Sequence, residues 1–217
     1  FYRLQAAEQL LSSSDVNAAK SLVRGASILH IGTNSLLRPA ARQAVHQAVR
    51  DAFQRGQLIS SDPNLRLHLW KSPDVLRALL HRIVKRCSIL KLSSEEISFV
   101  TGCSRPRDAL TWLERRGVVL PIVTLGEAGT IFRFHAKTIE VKAPKDNVVD
   151  TTGAGDGFCA GFLYSLTRQV QTVDQLANVH LDFITECAHF GCIVGAHVVT
   201  QLGAVAGLPT QADFTRM

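Results

Sequence analysis

Apolar positions along the chain follow two spacings in alternation. Helical spacing covers residues 15–24 and gives way to the run Ile28-Leu29-His30-Ile31, which ends at Gly32. It returns over residues 39–55, where Gly56 stops it, and Leu58-Ile59 then begins a short strand ending in Ser60-Ser61-Asp62-Pro63-Asn64. Ser72 followed by Pro73 is a cap with proline at the first helical position and predicts a helix to about residue 86. Ile89-Leu90-Lys91-Leu92 is the next strand, followed by two short helices (94–100 and 107–116) and a buried-strand run over 118–125. Strands alternating with helices of this length predict βαβ units and a mostly parallel sheet covered on both faces.

The pattern changes after Gly126. Residues 130–135 and 138–142 read as a hairpin around Ala136-Lys137, followed by the polar loop Pro144-Lys145-Asp146-Asn147. Val148-Val149-Asp150 then leads into Thr151-Thr152-Gly153-Ala154-Gly155-Asp156-Gly157, beyond which Phe158, Phe162, Leu163 and Leu166 recur at helical spacing. Residues 173–199 form one helix or two before the loop Gly207-Leu208-Pro209. With no repeat, low-complexity tract or linker, the chain reads as one domain.

Composition narrows the class. The 217 residues are 46% hydrophobic and 19% charged, with 15 glycines and 7 prolines, which excludes disordered, collagen-like and coiled-coil proteins. Residues 187–212 lack any Asp, Glu, Lys or Arg, but His189, His197, Gln201 and Pro209 make the stretch too polar and too broken for a membrane span. Phe1-Tyr2-Arg3-Leu4-Gln5 does not read as a signal peptide, and a start without methionine reads as a cut from something longer. Five cysteines without a CxxC pair favour reduced thiols and a cytoplasmic location. Eight histidines show no HxxxH or HxH spacing, so neither a zinc site nor a triad is supported.

The net charge is +6 and the pI about 9.3. The basic residues are scattered over helix faces (Arg38, Arg42, Arg50, Arg55; Arg77, Arg82, Lys85, Arg86) with no basic run carrying interleaved aromatics. A solvated surface is therefore favoured over a nucleic-acid groove. A mild positive field also suits a small anionic substrate such as a nucleoside triphosphate.

The segment 150–156 carries the chemistry. Gly153 and Gly155 allow positive φ and close approach of a ligand to the backbone. The following helix points free N–H groups and its positive dipole end into the turn, which suits a phosphate. Asp156 lies in the first turn of that helix, where it could take the proton of an attacking hydroxyl. A bare GxGD is more often an ordinary loop with a helix-start carboxylate, Walker A is absent, and GxGxxG is not met. The flanking Asp150-Thr151-Thr152 and the α/β pattern tip the balance to function.

Asp150 to Phe158 also resembles, completely, the DTxGAGDxF signature of the ribokinase-like sugar kinases. Leu90-Lys91-Leu92-Ser93-Ser94-Glu95-Glu96 through Thr101-Gly102 resembles the family's NxxE segment, and Val123-Thr124-Leu125-Gly126-Glu127-Ala128-Gly129 its nucleotide-side strand and turn. Phe1-Tyr2-Arg3, Ser61-Asp62-Pro63-Asn64-Leu65-Arg66 with Leu69-Trp70, and Lys91-Leu92-Ser93 look most like the fructokinases, with 2-keto-3-deoxygluconate kinases second.

The resemblance implies a ribokinase-like three-layer α/β/α fold and ATP-dependent phosphorylation of a sugar, D-fructose to fructose 6-phosphate above all. A non-catalytic nucleotide- or sugar-sensing relative is the alternative from another class. The resemblance to these kinases gives Asp156 the role of base and Gly153, Ala154 and Gly155 that of anion hole. Glu96 would place Mg²⁺ through water, and Ser93, Thr124, Gly126 and Cys192 would lie at the nucleotide.

Each of these has a bland counterpart: a Ser93–Glu96 capping box, a strand threonine at 124, a packed cysteine at 192. Asn64 and Arg66, following a strand, and Arg3 would meet the sugar or a phosphate. Asp150 would hold a monovalent cation such as K⁺ or cap its own loop. The resemblance further implies that 1–217 is the C-terminal two-thirds of a kinase domain, with the N-terminal strands, the sugar-reading segment and a dimer-forming lid absent.

Overall fold

The computed structural model describes residues 7–210 and Asp213; Arg3 lies outside the described residues. In chain order the elements are α1 (Ala7–Leu10), α2 (Ser13–Ala18), α3 (Lys20–Gly25), β1 (Ile28–Ile31), α4 (Pro39–Gln54), β2 (Leu58–Ser61), α5 (Pro73–Val84), β3 (Ile89–Ser93), α6 (Ile97–Thr101), α7 (Pro106–Glu114) and β4 (Leu120–Thr124). Then follow β5 (Thr130–Phe134), β6 (Lys137–Val141), α8 (Ala154–Leu166), α9 (Val173–Asn178) and α10 (Leu181–Val198).

Local chemistry sets most boundaries. Ser12 and Asp15 form a reciprocal cap at the start of α2. Pro39, Pro73 and Pro106 each open a helix, with the Ser72 hydroxyl accepting from the Val75 N–H. Ala41, Ala44, Val45, Ala48, Val49 and Ala52 form the buried stripe of α4.

Two expectations shift and one open alternative resolves. The 15–24 helix breaks at Ala19 into α2 and α3. The hairpin turns one residue early, because His135 and Ala136 take φ of 48° and 63°. The 173–199 stretch is two helices: Thr172 and Gln175 cap α9, and His180 starts α10.

The six strands lie side by side in chain order, β1 to β4 parallel and β5 and β6 antiparallel. Adding each parallel strand next to the last, with crossovers of one hand, stacks α4 to α7 on one face. Ile59, Leu90, Leu92, Val123 and Ile131 turn to that face and pack with Val49, Leu80 and Leu110. Leu58, Ile89, Leu120, Ile122 and Phe132 turn to the other, where Phe158, Phe162, Ile184 and Cys192 cover them. The result is a three-layer α/β/α arrangement. Among the described residues no helix is long and apolar enough to cross a membrane.

Candidate active site

On the face covered by α8 and α10, the strands carry apolar side chains until their last turns. Ile28, Leu58, Ile89 and Ile122 belong to the core. Two residues further on, the same face carries His30, Ser60, Lys91 and Thr124, with Asp62 just past β2. Period-two alternation thus places a polar layer at the carboxyl ends of four parallel strands, where open sheets of this kind receive ligands.

The layer is internally bonded. His30 Nδ1 lies 3.1 Å from Ser60 Oγ. Lys91 Nζ donates to Asp62 Oδ2 at 2.9 Å, and Cys159 Sγ of α8 lies 3.5 Å from the same oxygen. Asp62 and Lys91 are 5% and 7% exposed. Burial alone would lower the Lys91 ammonium, but Asp62, Cys159 and Glu96 outweigh it and its pKa is raised. Burial, with Asp62 beside it, pushes the Cys159 thiol well up.

The loop after β2 is held from two sides. Thr33 donates its hydroxyl (2.6 Å) and its N–H (3.2 Å) to the Pro63 carbonyl. Glu96 accepts the Leu65 N–H at 2.6 Å on one oxygen and the Ser93 N–H at 2.8 Å on the other. Only the glutamate half of the expected capping box forms: the Glu96 N–H goes to the Ser93 carbonyl, since the helix starts at Ile97, three residues later than a Ser93 cap requires. Between these anchors Asn64 takes φ of 45°, a conformation asparagine tolerates better than most residues. Arg66 is half-buried and makes no ion pair among the described residues.

Gly153 opens α8 at φ 86°. The Ala154 N–H bonds the Thr151 carbonyl and the Gly157 N–H that of Gly153, which leaves the N–H groups of Gly155 and Asp156 facing the turn. Asp156 is exposed in this first turn, and its charge bears on both His30 and Cys159. A Cβ on Gly155 would lie 3.0 Å from Lys91 Nζ, so the buried ion pair sits directly beneath the start of α8.

The Asp150 oxygens accept the Thr152 N–H (2.9 Å) and the Gly203 N–H (2.8 Å), which lowers its pKa, Thr152 contributing most. This is the loop-capping alternative for Asp150.

Ser93 and Thr124 are register partners at the ends of β3 and β4, and Gly126 turns the chain at φ 60° just beyond. Thr124 Oγ1 also reaches the Leu92 carbonyl at 3.4 Å. Cys192 is 5% exposed in the core beside α8, with burial pushing its thiol up to about 11. The structure therefore gathers Asn64, Arg66, Ser93, Glu96, Thr124 and residues 153–156 along one edge of the sheet and packs Cys192 behind it. His30, Ser60, Asp62 and Lys91 were not among the sequence candidates. Their signal is a polar residue closing an otherwise apolar strand.

Comparison with known proteins adds a second line. The pfkB family carbohydrate kinase profile matches residues 1–211. "Probable fructokinase-5" of Arabidopsis thaliana is 36% identical over 220 residues, spanning 100% of this chain and 65% of that protein. The fructokinase of Vibrio cholerae O395, solved with fructose, ADP and calcium, superposes with a TM-score of 0.77 at 30% identity, covering 87% of this chain and 59% of that one. The ATP-bound fructokinase of Xylella fastidiosa reaches 0.88 at 25% identity, covering 100% of this chain and 68% of that one. The chain spans 61–65% of the length of the curated relatives it matches.

Proposed function

Because the chain belongs to the pfkB family of carbohydrate kinases, we propose that the protein containing it transfers the γ-phosphoryl group of ATP to a sugar hydroxyl, D-fructose at carbon 6 being the preferred acceptor. The observation that carries this reading is the start of α8: two unspent backbone N–H groups, a positive helix end and the exposed Asp156 within one turn. The Asp156 carboxylate takes the proton of the sugar hydroxyl as that oxygen bonds to the γ-phosphorus. The bond from phosphorus to the bridging oxygen breaks, and ADP leaves with the electron pair. Gly155 and Asp156 N–H groups meet charge developing on the transferred group. Ser93, Thr124 and Gly126, at the ends of β3 and β4, line the nucleotide side. Asn64 and Arg66 lie in the loop after β2, where a cationic guanidinium suits phosphate or a sugar oxygen.

Magnesium fits this donor set. Among the described residues no three metal-ligating side chains converge on a point, so the ion would arrive on the nucleotide phosphates with its waters. Glu96 and the unpartnered, buried Oδ1 of Asp62 are the hard oxygen donors available to that shell. The ion would neutralise charge on the β- and γ-phosphates. Asp150 would meet a monovalent cation such as K⁺ with the lone pairs left over from the Thr152 and Gly203 N–H groups, as Glu96 would meet the waters of magnesium with those left over from Leu65 and Ser93.

The test is an ADP-release assay on the intact protein with Mg-ATP and a panel of ketoses, aldoses and keto-acid sugars. Asp156→Asn is expected to lower kcat by about 10²–10⁴, the usual worth of a positioned base, with ADP binding retained. No turnover with any sugar, or full activity in Asp156→Asn, would sink the reading.

A further inference from the structure

We propose that Lys91 is a positioning residue of this same site: its buried ammonium supports the first turn of α8 and adds positive charge beneath the place of the transferred phosphoryl group. The inference rests on the kinase reading above.

Four observations carry it. First, position 91 belongs by alternation to the face that holds Ile89, Leu58 and Leu120, where an apolar side chain would complete the core. A buried ion pair there is no stability device, since such pairs commonly do no better than apolar residues of equal volume. Second, the ammonium lies 3.0 Å from where a Gly155 Cβ would be, so the missing side chain is what lets the cation reach the helix backbone.

Third, the bonding is incomplete. An ammonium has three N–H donors, and the Lys91 group has a single bonded partner among the described residues, Asp62 Oδ2. Asp62 Oδ1 is buried with no partner among the described residues. Fourth, the cation faces the positive end of α8, so the single Asp62 carboxylate stands against both until a further anion arrives. Taken together, the free protein holds a paired cation with open donors in a desolvated layer beneath a positive helix end, and an incoming phosphoryl group meets both.

The experiment compares the intact wild-type protein with Lys91→Met, Lys91→Arg and the neutral pair Lys91→Gln with Asp62→Asn. The readouts are kcat, KM for each substrate, thermal midpoint, and binding of ADP with and without aluminium fluoride, a mimic of the phosphoryl group in transfer. Lys91→Met is expected to lower kcat about 10²-fold, as for a lost oxyanion donor, with KM values changed less than about threefold. It should keep ADP binding but lose the added affinity from aluminium fluoride, and Lys91→Arg should recover part of both. A folded Lys91→Met with near-wild-type turnover overturns the proposal. So does a neutral pair as active as wild type, which would reduce Lys91 to a clamp between β2 and β3; this pair also carries the test should Lys91→Met not fold. If the wild type phosphorylates no sugar, the kinase reading falls. The Lys91 role is then judged on ADP–aluminium fluoride binding alone, where equal affinity in wild type and Lys91→Met ends it.

Discussion

Gly153 is under two constraints, each of which excludes a side chain. Its φ is 86°, and a Cβ would lie 2.9 Å from the Ala204 backbone. Gly153→Ala therefore incurs about 1–2 kcal/mol of left-handed strain plus an overpacking cost of similar size. Calorimetric titration should show weakened ADP binding together with a lower thermal midpoint. His46 gives a pH signature. Burial, followed by Arg82, Arg42 and Arg86, lowers its pKa, and its Nε2 is buried without a partner among the described residues. A depressed imidazole contributes stability above its unfolded value near 6.5, lost as pH falls from there towards the folded value. Denaturant midpoints should drop as pH falls through 6.5, and less so in His46→Leu. Residue chemistry was legible where it is local: a glycine turn followed by a carboxylate and a helix announces itself within seven positions. The Asp62–Lys91 pair was not, because 29 residues separate partners that only sheet pairing brings together. Ser93 and Glu96 fell between, their spacing plain but their half-formed box decided by where α6 begins.

At the scale of elements, α8 and α10 carry the site by packing unusually close. Gly161 leaves room for Val194, Gly191 for Phe158, and Gly195 for the Ala154 carbonyl at the first turn of α8. Gly195→Ala would set a Cβ 3.0 Å from that carbonyl, and backbone cannot swing aside as a side chain can. Helix propensity favours alanine there by about 1 kcal/mol. The expected result is thus a near-unchanged thermal midpoint with reduced turnover, which kinetics and calorimetry on one sample would separate. Periodicity located α4, α5 and β1 to β4 within a few residues because caps, prolines and apolar stripes agree there. It missed α1 and the break at Ala19, where short helices lack a long stripe and end on local hydrogen bonds, and it left open whether residues 173–199 are one helix or two.

For the molecule as a whole, the sheet has two different margins. β6 ends a hairpin and contacts α10, whereas nothing among the described residues pairs with the outer side of β1. An open strand of this kind is a template for another chain. The chain expressed by itself should self-associate with rising concentration in sedimentation experiments, and Leu29→Lys should suppress this. The layered architecture was legible from the alternation of spacings. The position of the site was legible only once the strands could be read across the sheet, as a row of polar residues in register. The chain-order sheet also bears on how the protein is made. Register partners in β1 to β4 are 29–31 residues apart, so each new unit closes a loop of nearly constant, modest entropic cost onto an edge just completed. Assembly can follow synthesis from β1 onward, and the glycine turn of α8, emerging late, docks on a floor already laid by Asp62 and Lys91.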